Sequence, residues 1–446
     1  MNAKVSSSTF LAHGDFVYRH EPVPVFIKAY GPILEDADGY KYFDAEAANG
    51  TTSLGFDNSI LEEAAKRAQP IPSIPSFCET EIRLNVAEKL GKKMNEVTGV
   101  KGKIAFELGG AQGIELALKV IKTNTKKSQF VVFQGGYHGR SIFTSQLSAS
   151  HRYRSIMGDW RVPVIRLPYP DYEQSAFSDA PEEWVDRTLA SIRQLTETEM
   201  GGMAIKSGEQ DVAAFILEPM LNAGGIVKPS AKFINEVVKI FRNLGALIVV
   251  DEIFCGFFRT GKMFGFQHYD FTPDMVIMSK AITNGITPLS AVWARDPIMS
   301  EKNFPPGTHS ATYINNPFTM TVADTVLDRY AKWKTIDKDL ENLETGLRKM
   351  IDTVVKTSKL AKSGFALGGV GRILLKNSDA GKILDIARVV TRENPIDGIH
   401  GLILASTGMS PNVVAINPPL TLKEKDIENL TKLLILTFEK ADKVIK

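Results

Sequence analysis

The chain has 446 residues, 43% of them apolar and 23% charged, the balance of a soluble globular protein and too long for one small core. Lys plus Arg is 53 against 51 for Asp plus Glu, so a net charge of +2 excludes a surface dominated by polyanion binding, nucleic acid included, while leaving room for a local basic pocket. Two cysteines, Cys78 and Cys255, exclude a disulfide framework and fit a reduced, cytoplasmic setting, and no uninterrupted apolar run reaches the ~20 residues a membrane helix needs.

In chain order, Met1 to Gly14 lacks a basic segment followed by an apolar core, so no secretory signal is expected. Residues 26–44 alternate apolar and polar side chains around Asp38-Gly39, a dipeptide that supplies the backbone angles of a tight hairpin. Thr80 to Met94 has helical spacing, with Ile82, Val86 and Leu90 on one face. Residues 104–108 form a short apolar run, followed by Gly109-Gly110-Ala111-Gln112-Gly113 and a helical segment to about Lys122. Phe130 to Phe133 is strand-like and leads into Gly135-Gly136-Tyr137-His138-Gly139-Arg140. The polar stretch Thr196 to Asp211 reads as a surface excursion. Val212 to Leu217 is strand-like and ends at Glu218-Pro219; Ala231 to Arg242 has helical period. Leu247 to Val250 runs into Asp251-Glu252, Met275 to Met278 runs into Ser279-Lys280, and Ala291 to Ala294 is a further apolar run. This strand–loop–helix alternation predicts an α/β fold with a mainly parallel sheet covered by helices.

From about Asp324 the texture changes. A charged helix over residues 339–356 leads to a glycine-punctuated stretch (364–372), and the chain ends in an amphipathic helix over 424–444. The expected organisation is a large domain over residues 50–323 and a smaller α+β domain built from 1–49 and 324–446.

Several chemically loaded residues fall at strand ends, which in an open α/β sheet share one edge. Lys280 closes an apolar strand; a lysine in such surroundings can lose its proton and form a Schiff base, and it can equally be a solvated strand-end lysine. Asp251 and Glu252 close another. One of two adjacent acids must turn inward, where it needs a cationic partner, either an arginine or a pyridinium N–H. The Gly109–Gly113 turn suits either phosphate binding at a helix N-terminus or close helix–sheet packing. Tyr137 could stack on a flat cofactor, or pack with His138 in the core. Arg140 could hold a carboxylate through its planar fork, or pair within the protein. Glu218 is a strand-end acid that could be a cap or a paired group. The scattered seven histidines and isolated cysteines argue against a metal site, and no Gly-x-Ser-x-Gly turn accompanies Ser279-Lys280.

The order Val250-Asp251-Glu252-Ile253, Gly256-Phe257-Phe258-Arg259-Thr260-Gly261-Lys262 and Pro273-Asp274-Met-Val-Ile-Met-Ser279-Lys280 resembles the class III (ornithine/γ-aminobutyrate-type) pyridoxal-phosphate-dependent aminotransferases, and the likeness extends over roughly residues 25–440. The resemblance implies the type I fold of pyridoxal-phosphate transferases, with pyridoxal 5'-phosphate as cofactor. Lys280 would carry the covalent link to the cofactor and move protons, and Asp251 would bind the pyridine nitrogen. Gly110 and Ala111 would cradle the phosphate, and Tyr137 would stack on the ring, with His138, Glu218 and Phe254 in the cofactor's surroundings. Thr312, within His309-Ser310-Ala311-Thr312-Tyr313-Ile314-Asn315-Asn316-Pro317, would reach the phosphate of a neighbouring subunit, which implies a homodimer with shared sites. The implied reaction moves an amino group from an amino acid or ω-amine to an oxo acid by a ping-pong route.

The chain departs from the family pattern in three places. Ala223, in Asn222-Ala223-Gly224-Gly225, stands where many members have a glutamate, and Gly368, in Gly368-Gly369-Val370-Gly371, is read as standing where a carboxylate-binding arginine would be. Members use that pair as a switch between two substrates; losing both together avoids stranding one buried charge. Arg140, which matches a carboxylate-binding position of the γ-aminobutyrate branch, becomes the leading anchor, with Arg372 a candidate to swing in. Phe254 replaces a glutamine that would face the cofactor's ring hydroxyl. These departures keep an amino-acid racemase, epimerase or aminomutase on the same fold as alternatives, with a non-catalytic ligand-binding protein the remaining one.

Overall fold

The computed structural model describes residues 24–155, 157–158, 162–171, 173, 180–197, 201, 203, 205–206, 209–376 and 379–445. Residues 1–23, read above for a secretory signal and assigned to the second domain, lie outside the described residues, as does part of the excursion at 196–211, Gly202 included.

The hairpin expected over 26–44 is three strands: β1 (Phe26–Tyr30), β2 (Ile33–Asp36) and β3 (Lys41–Asp44). The Asp36 carboxylate closes the turn before β3 by accepting from the N–H groups of Asp38 and Tyr40 at 3.0 and 2.9 Å. Next come β4 (Gly102–Glu107), β5 (Gln129–Phe133), β6 (Val164–Leu167) and a short ribbon, β7 (Ile205–Lys206) with β8 (Glu209–Gln210). The excursion is anchored at both ends rather than lying wholly on the surface. Thr196 and Asp211 are buried, and Asp211 accepts from the Ser128 N–H at 2.8 Å. Then follow β9 (Val212–Leu217), β10 (Leu247–Asp251), β11 (Met275–Met278) and β12 (Ser290–Arg295).

Seven of these strands form one sheet in the order β4-β12-β11-β10-β9-β5-β6. Only β12 runs against its neighbours, so β4, β5, β9, β10 and β11 all end at the same edge. The sheet is mostly parallel, and both of its faces are buried. Val131, Phe215, Val250 and Val276 point into one apolar cluster, and Val132, Ile216, Val249 and Ile277 into the other. This explains the continuous apolar runs, of which β9, buried along its whole length, is the clearest.

The second domain holds β13 (Ala361–Leu367), β14 (Val370–Leu375), β15 (Gly401–Ile403), β16 (Ala405–Thr407) and β17 (Val413–Ile416). A four-stranded sheet in the order β13-β14-β17-β16 covers the helices Ile336–Thr357 and Ala380–Arg388, the helix Glu424–Val444 packs on both, and β15 pairs with β3. Phe43 and Ala45, from the other chain end, share this core with Leu343, Leu347, Leu430 and Phe438. Residue 323, the expected boundary, falls inside the helix Pro317–Lys332. Val326, Leu327 and Tyr330 of that helix belong to the first core, and Trp333 packs on both cores, so the helix carries the large domain past the position where polarity changes in the sequence. We therefore propose that the division lies at 333–335.

Arg259 bridges the two cores. It is fully buried; its Nη1 donates to the carbonyls of Gly369 (3.2 Å) and Pro418 (2.7 Å), and its Nη2 to Ser53 Oγ (2.9 Å). Burial lowers the guanidinium to about 10, which leaves it charged at neutral pH. Arg259→Met should therefore cost about 3–5 kcal/mol in urea unfolding, because three acceptors lose their donor at a dry seam. A loss below about 1 kcal/mol would show that the seam closes without it.

Candidate active site

The common strand edge gathers the residues singled out above. Lys280 follows β11 in the left-handed region at φ 50°, an uncommon conformation for a residue with a side chain. The preceding Ser279 fixes it by donating from Oγ to the Leu289 carbonyl at 2.7 Å. Lys280 Nζ lies 5.1 Å from the centre of the Phe254 ring. Burial pulls its ammonium below the usual lysine range, against the charges of Glu46, Asp251 and Glu218. Phe254 thus borders the amine with an apolar face.

Asp251 ends β10 and points into the cleft, where Oδ2 meets His138 Nδ1 at 2.8 Å and Oδ1 accepts from the Ile253 N–H at 3.1 Å. Both side chains of the Asp251–His138 pair are buried. Burial disfavours the charged imidazole, yet the hydrogen bond and charge of Asp251, with the charge of Glu218, hold His138 above its ordinary value. Glu218 caps the neighbouring loop, accepting from the N–H groups of Tyr137 (2.8 Å) and Asn222 (3.2 Å). Burial raises its carboxyl to about 7 despite those donors. Glu252 takes the other direction from Asp251. It accepts from Gly265 and Phe266 N–H at 2.9 and 2.8 Å, and its carboxyl is pushed up to about 8 by burial. Of the two adjacent acids, then, one serves the cleft and one ties a loop.

Gly110 and Ala111 open the helix Gly110–Thr125, whose N-cap, Gly109, offers no side-chain cap. The first N–H groups of that helix therefore face outward without an intrahelical acceptor, as an anion site requires. The loop after β5 closes over them. Gly139 has φ +118°, and a Cβ there would sit 2.8 Å from Ala111 Cβ, so only glycine lets the two loops meet. Tyr137 lies edge-on to Tyr153, with ring centres 5.8 Å apart, and the Arg140 guanidinium rests 4.7 Å over Tyr153 and 5.8 Å from Tyr137. Arg140 is exposed, braced by aromatic rings rather than paired with an acid. Thr312 is exposed too, in the turn whose Asn315 donates to the carbonyls of Ser76 (3.2 Å) and Cys78 (2.9 Å).

Two features escape a sequence reading. Glu46 follows β3, far from the strand edge in sequence, yet its charge acts on Lys280; burial raises its carboxyl to about 7. Ala47, Ala48 and Asn49 are all left-handed, a strained run that brings Gly50 against the Phe254 ring. No local signal marks either, because both depend on the small domain folding back onto the large one. Gly368 corrects the reading of the second departure. Its φ is +56°, and a Cβ would lie 2.2 Å from Gly261 N and 2.5 Å from the Thr260 carbonyl carbon, so the turn has no room for any side chain, an arginine included.

Comparison with known proteins bears on this geometry. A profile described as aminotransferase class-III matches residues 17–438. The chain belongs to the class III aminotransferase family. It is 27% identical over 420 residues to acetylornithine aminotransferase of Streptococcus mutans, covering 93% of this chain and 96% of that protein. It is also 27% identical over 431 residues to alanine/serine racemase of Pyrococcus horikoshii, covering 91% and 84%. The fold matches a PLP-bound amine transaminase from an uncultivated Pseudomonas species with a TM-score of 0.84 at 20% identity, covering 97% of this chain and 98% of that one. As a class III aminotransferase the protein is a transaminase that works with pyridoxal 5'-phosphate. The residues present fit that cofactor: a buried amine at Lys280, a buried carboxylate at Asp251, and uncapped helix N–H groups at Gly110 and Ala111.

The charge of Glu46 holds protons on Lys280, so Glu46→Gln should let the amine deprotonate at lower pH. The pH midpoint for borohydride-trapped attachment of pyridoxal phosphate to Lys280 should move to the acid side. A midpoint that stays in place would show that the Glu46 charge does not reach the amine.

Proposed function

We propose that this transaminase moves an amino group between a carboxylate-bearing amino donor and an oxo acid by a ping-pong route, with Lys280 as the covalent attachment point and proton carrier. The observation that carries this is the meeting of a Lys280 amine disfavoured in its charged form with the buried Asp251–His138 pair at one sheet edge. Bound pyridoxal phosphate supplies an electron sink that makes the carbon bearing the amino group acidic. With the cofactor bound, Lys280 Nζ would be its attachment point and, as a free amine, would move the proton of the donor's amino-bearing carbon. Asp251 would hold a protonated ring nitrogen, and His138 keeps the Asp251 carboxylate in place through their 2.8 Å contact. Glu218 positions the Tyr137 loop, where Tyr137 would cover the cofactor's ring, and Gly110 and Ala111 would offer N–H groups to its phosphate. Phe254 would offer the cofactor an apolar side and no hydrogen bond. Arg140, at the exposed mouth, meets an entering carboxylate.

Within this proposal the working unit is a homodimer in which Thr312 reaches the neighbouring phosphate. The exposed apolar side chains Ile71, Phe77 (89% exposed) and Tyr313 (63%) support it, since they lie on the segments that Asn315 ties together. Among the described residues no helix is long and apolar enough to cross a membrane. The unpaired Cys78 and Cys255 support a reducing, cytoplasmic setting.

A donor and acceptor screen following the cofactor's absorbance tests the function. At least one amino acid should convert the cofactor fully to its amine form, and an oxo acid should restore it; spectral silence with every amine would refute transamination. Lys280→Ala should lower turnover by about 10²–10⁴-fold or more. Arg140→Lys should raise KM more for carboxylated donors than for plain amines, because the planar fork is lost; equal effects would remove Arg140 from carboxylate binding. The likeness to an alanine/serine racemase favours racemisation as the second reading. Deuterium uptake at Cα without consumption of oxo acid would select it.

A further inference from the structure

The edge strand β6 carries one residue at odds with its surroundings. It pairs with β5 alone, in the register Phe130↔Val164, Val131↔Ile165, Val132↔Arg166 and Phe133↔Leu167. Ile165 and Leu167 belong to one apolar cluster, and Val164 to the other, with Val132 and Leu147. Alternation puts Arg166 on the side of Val164 and Val132, where an apolar residue would continue the cover. A guanidinium held there needs acceptors and an anion.

The protein supplies only acceptors. Among the described residues, the hydrogen bonds of Arg166 leave from Nη2 to the carbonyls of Gln146 and Ser148, the second at 3.4 Å. Arg154 Nη2 donates to the Ala149 carbonyl at 3.3 Å. Neither arginine makes an ion pair with a described residue, and Nη1 of each donates to none, which leaves those N–H groups for a ligand. Burial, and after it the charge of Arg154, lowers the Arg166 guanidinium to about 10, so it stays charged at neutral pH. The two arginines line a cavity of about 430 Å³ together with Gln146, His151, Ser155 and Val164, and no acid lies among its described walls. Gln146 is 7% exposed; its Nε2 and Arg166 Nε are both buried without an acceptor, so the wall is short of negative charge throughout.

The cavity adjoins the active site without belonging to it. Ser148, whose carbonyl meets Arg166, accepts from the His138 N–H at 2.9 Å through Oγ and donates to the Gly139 carbonyl at 2.8 Å. The cofactor's phosphate cradle lies instead at Gly110 and Ala111. Two guanidiniums that share one space are matched by a dianion. A carboxylate answers one charge, whereas a phosphate group carries about −1.5 to −2 and three acceptor oxygens. The volume falls within the range of small-molecule sites, about 300–1,000 Å³. We propose that Arg154 and Arg166 form a second anion site, separate from that of the cofactor, which binds the phosphate group of a small molecule. It lies behind the loop that carries His138.

The test titrates holoenzyme, whose cofactor site is filled, with inorganic phosphate and with propionate by calorimetry in phosphate-free buffer. Arg154→Gln and Arg166→Gln are compared with Arg152→Gln, which removes the same charge from an exposed neighbour that does not line the cavity. Phosphate should bind at least about tenfold more tightly than propionate. Each substitution in the cavity wall should weaken phosphate about tenfold or more, and Arg152→Gln less than about twofold, because an exposed distant charge is screened. Absence of phosphate binding, propionate bound as tightly, or phosphate binding unchanged in Arg154→Gln would overturn the proposal. Equal weakening by Arg152→Gln would overturn it too, by showing attraction to surface charge rather than a site. Arg166 also holds two backbone carbonyls; should Arg166→Gln fail to fold, the contrast between Arg154→Gln and Arg152→Gln still decides.

Discussion

Arg259 keeps a full positive charge at a seam that water does not reach, and it does so by holding backbone carbonyls from two distant stretches of the chain. Its hydrogen-bond acceptors cannot come from solvent, so Gly369, Pro418 and Ser53 must arrive together. That requirement locks the small domain against the strand edge. It also sets the close approach of Gly368 to Gly261, which leaves that turn without space for a side chain. Once the seam is closed, the groups behind it face the same low dielectric and the same need for partners. Asp251 meets His138, Glu218 and Glu252 each take two backbone N–H groups, and Arg372 takes Glu173 and a carbonyl.

The same dryness produces function. It disfavours the charged form of Lys280, which a nucleophilic amine needs, and it strengthens the pull of Asp251 on any cation brought beside it. Backbone strain is concentrated here too, at Lys280 and at the left-handed run Ala47–Asn49. Such strain persists only where the surroundings over-determine it, as the packing of Gly50 on Phe254 does.

Much of this was legible before folding. The apolar runs that became β9, β10, β11 and β12 were visible with their ends because a strand buried on both faces cannot hide its composition, and the chemical residues stood where the runs stopped. Lys280, Asp251, Glu218, Tyr137 and His138 do converge at one edge, since parallel strands share a C-terminal side. The departures were harder. Ala223 was seen, but Gly368 was misplaced as the site of a missing arginine, because a turn glycine in sequence says nothing of what presses on it. The boundary expected at 323 followed polarity, which shifts mid-helix, while the helix's buried stripe continues to Tyr330.

The amino-acid sequence by itself determined the α/β class, the strand ends and the identity of the amine and carboxylate, because periodicity and residue chemistry are local properties. Only the tertiary structure decided that Asp251 meets His138 while Glu252 ties a loop, that the charge of Glu46 acts on Lys280, and that Gly368 sits in a turn with no room for a side chain. Those depend on burial and on partners distant along the chain, as Glu46 is from Lys280 and Ser53 from Arg259. A charge's environment is a property of the closed seam, which exists only after both domains have met.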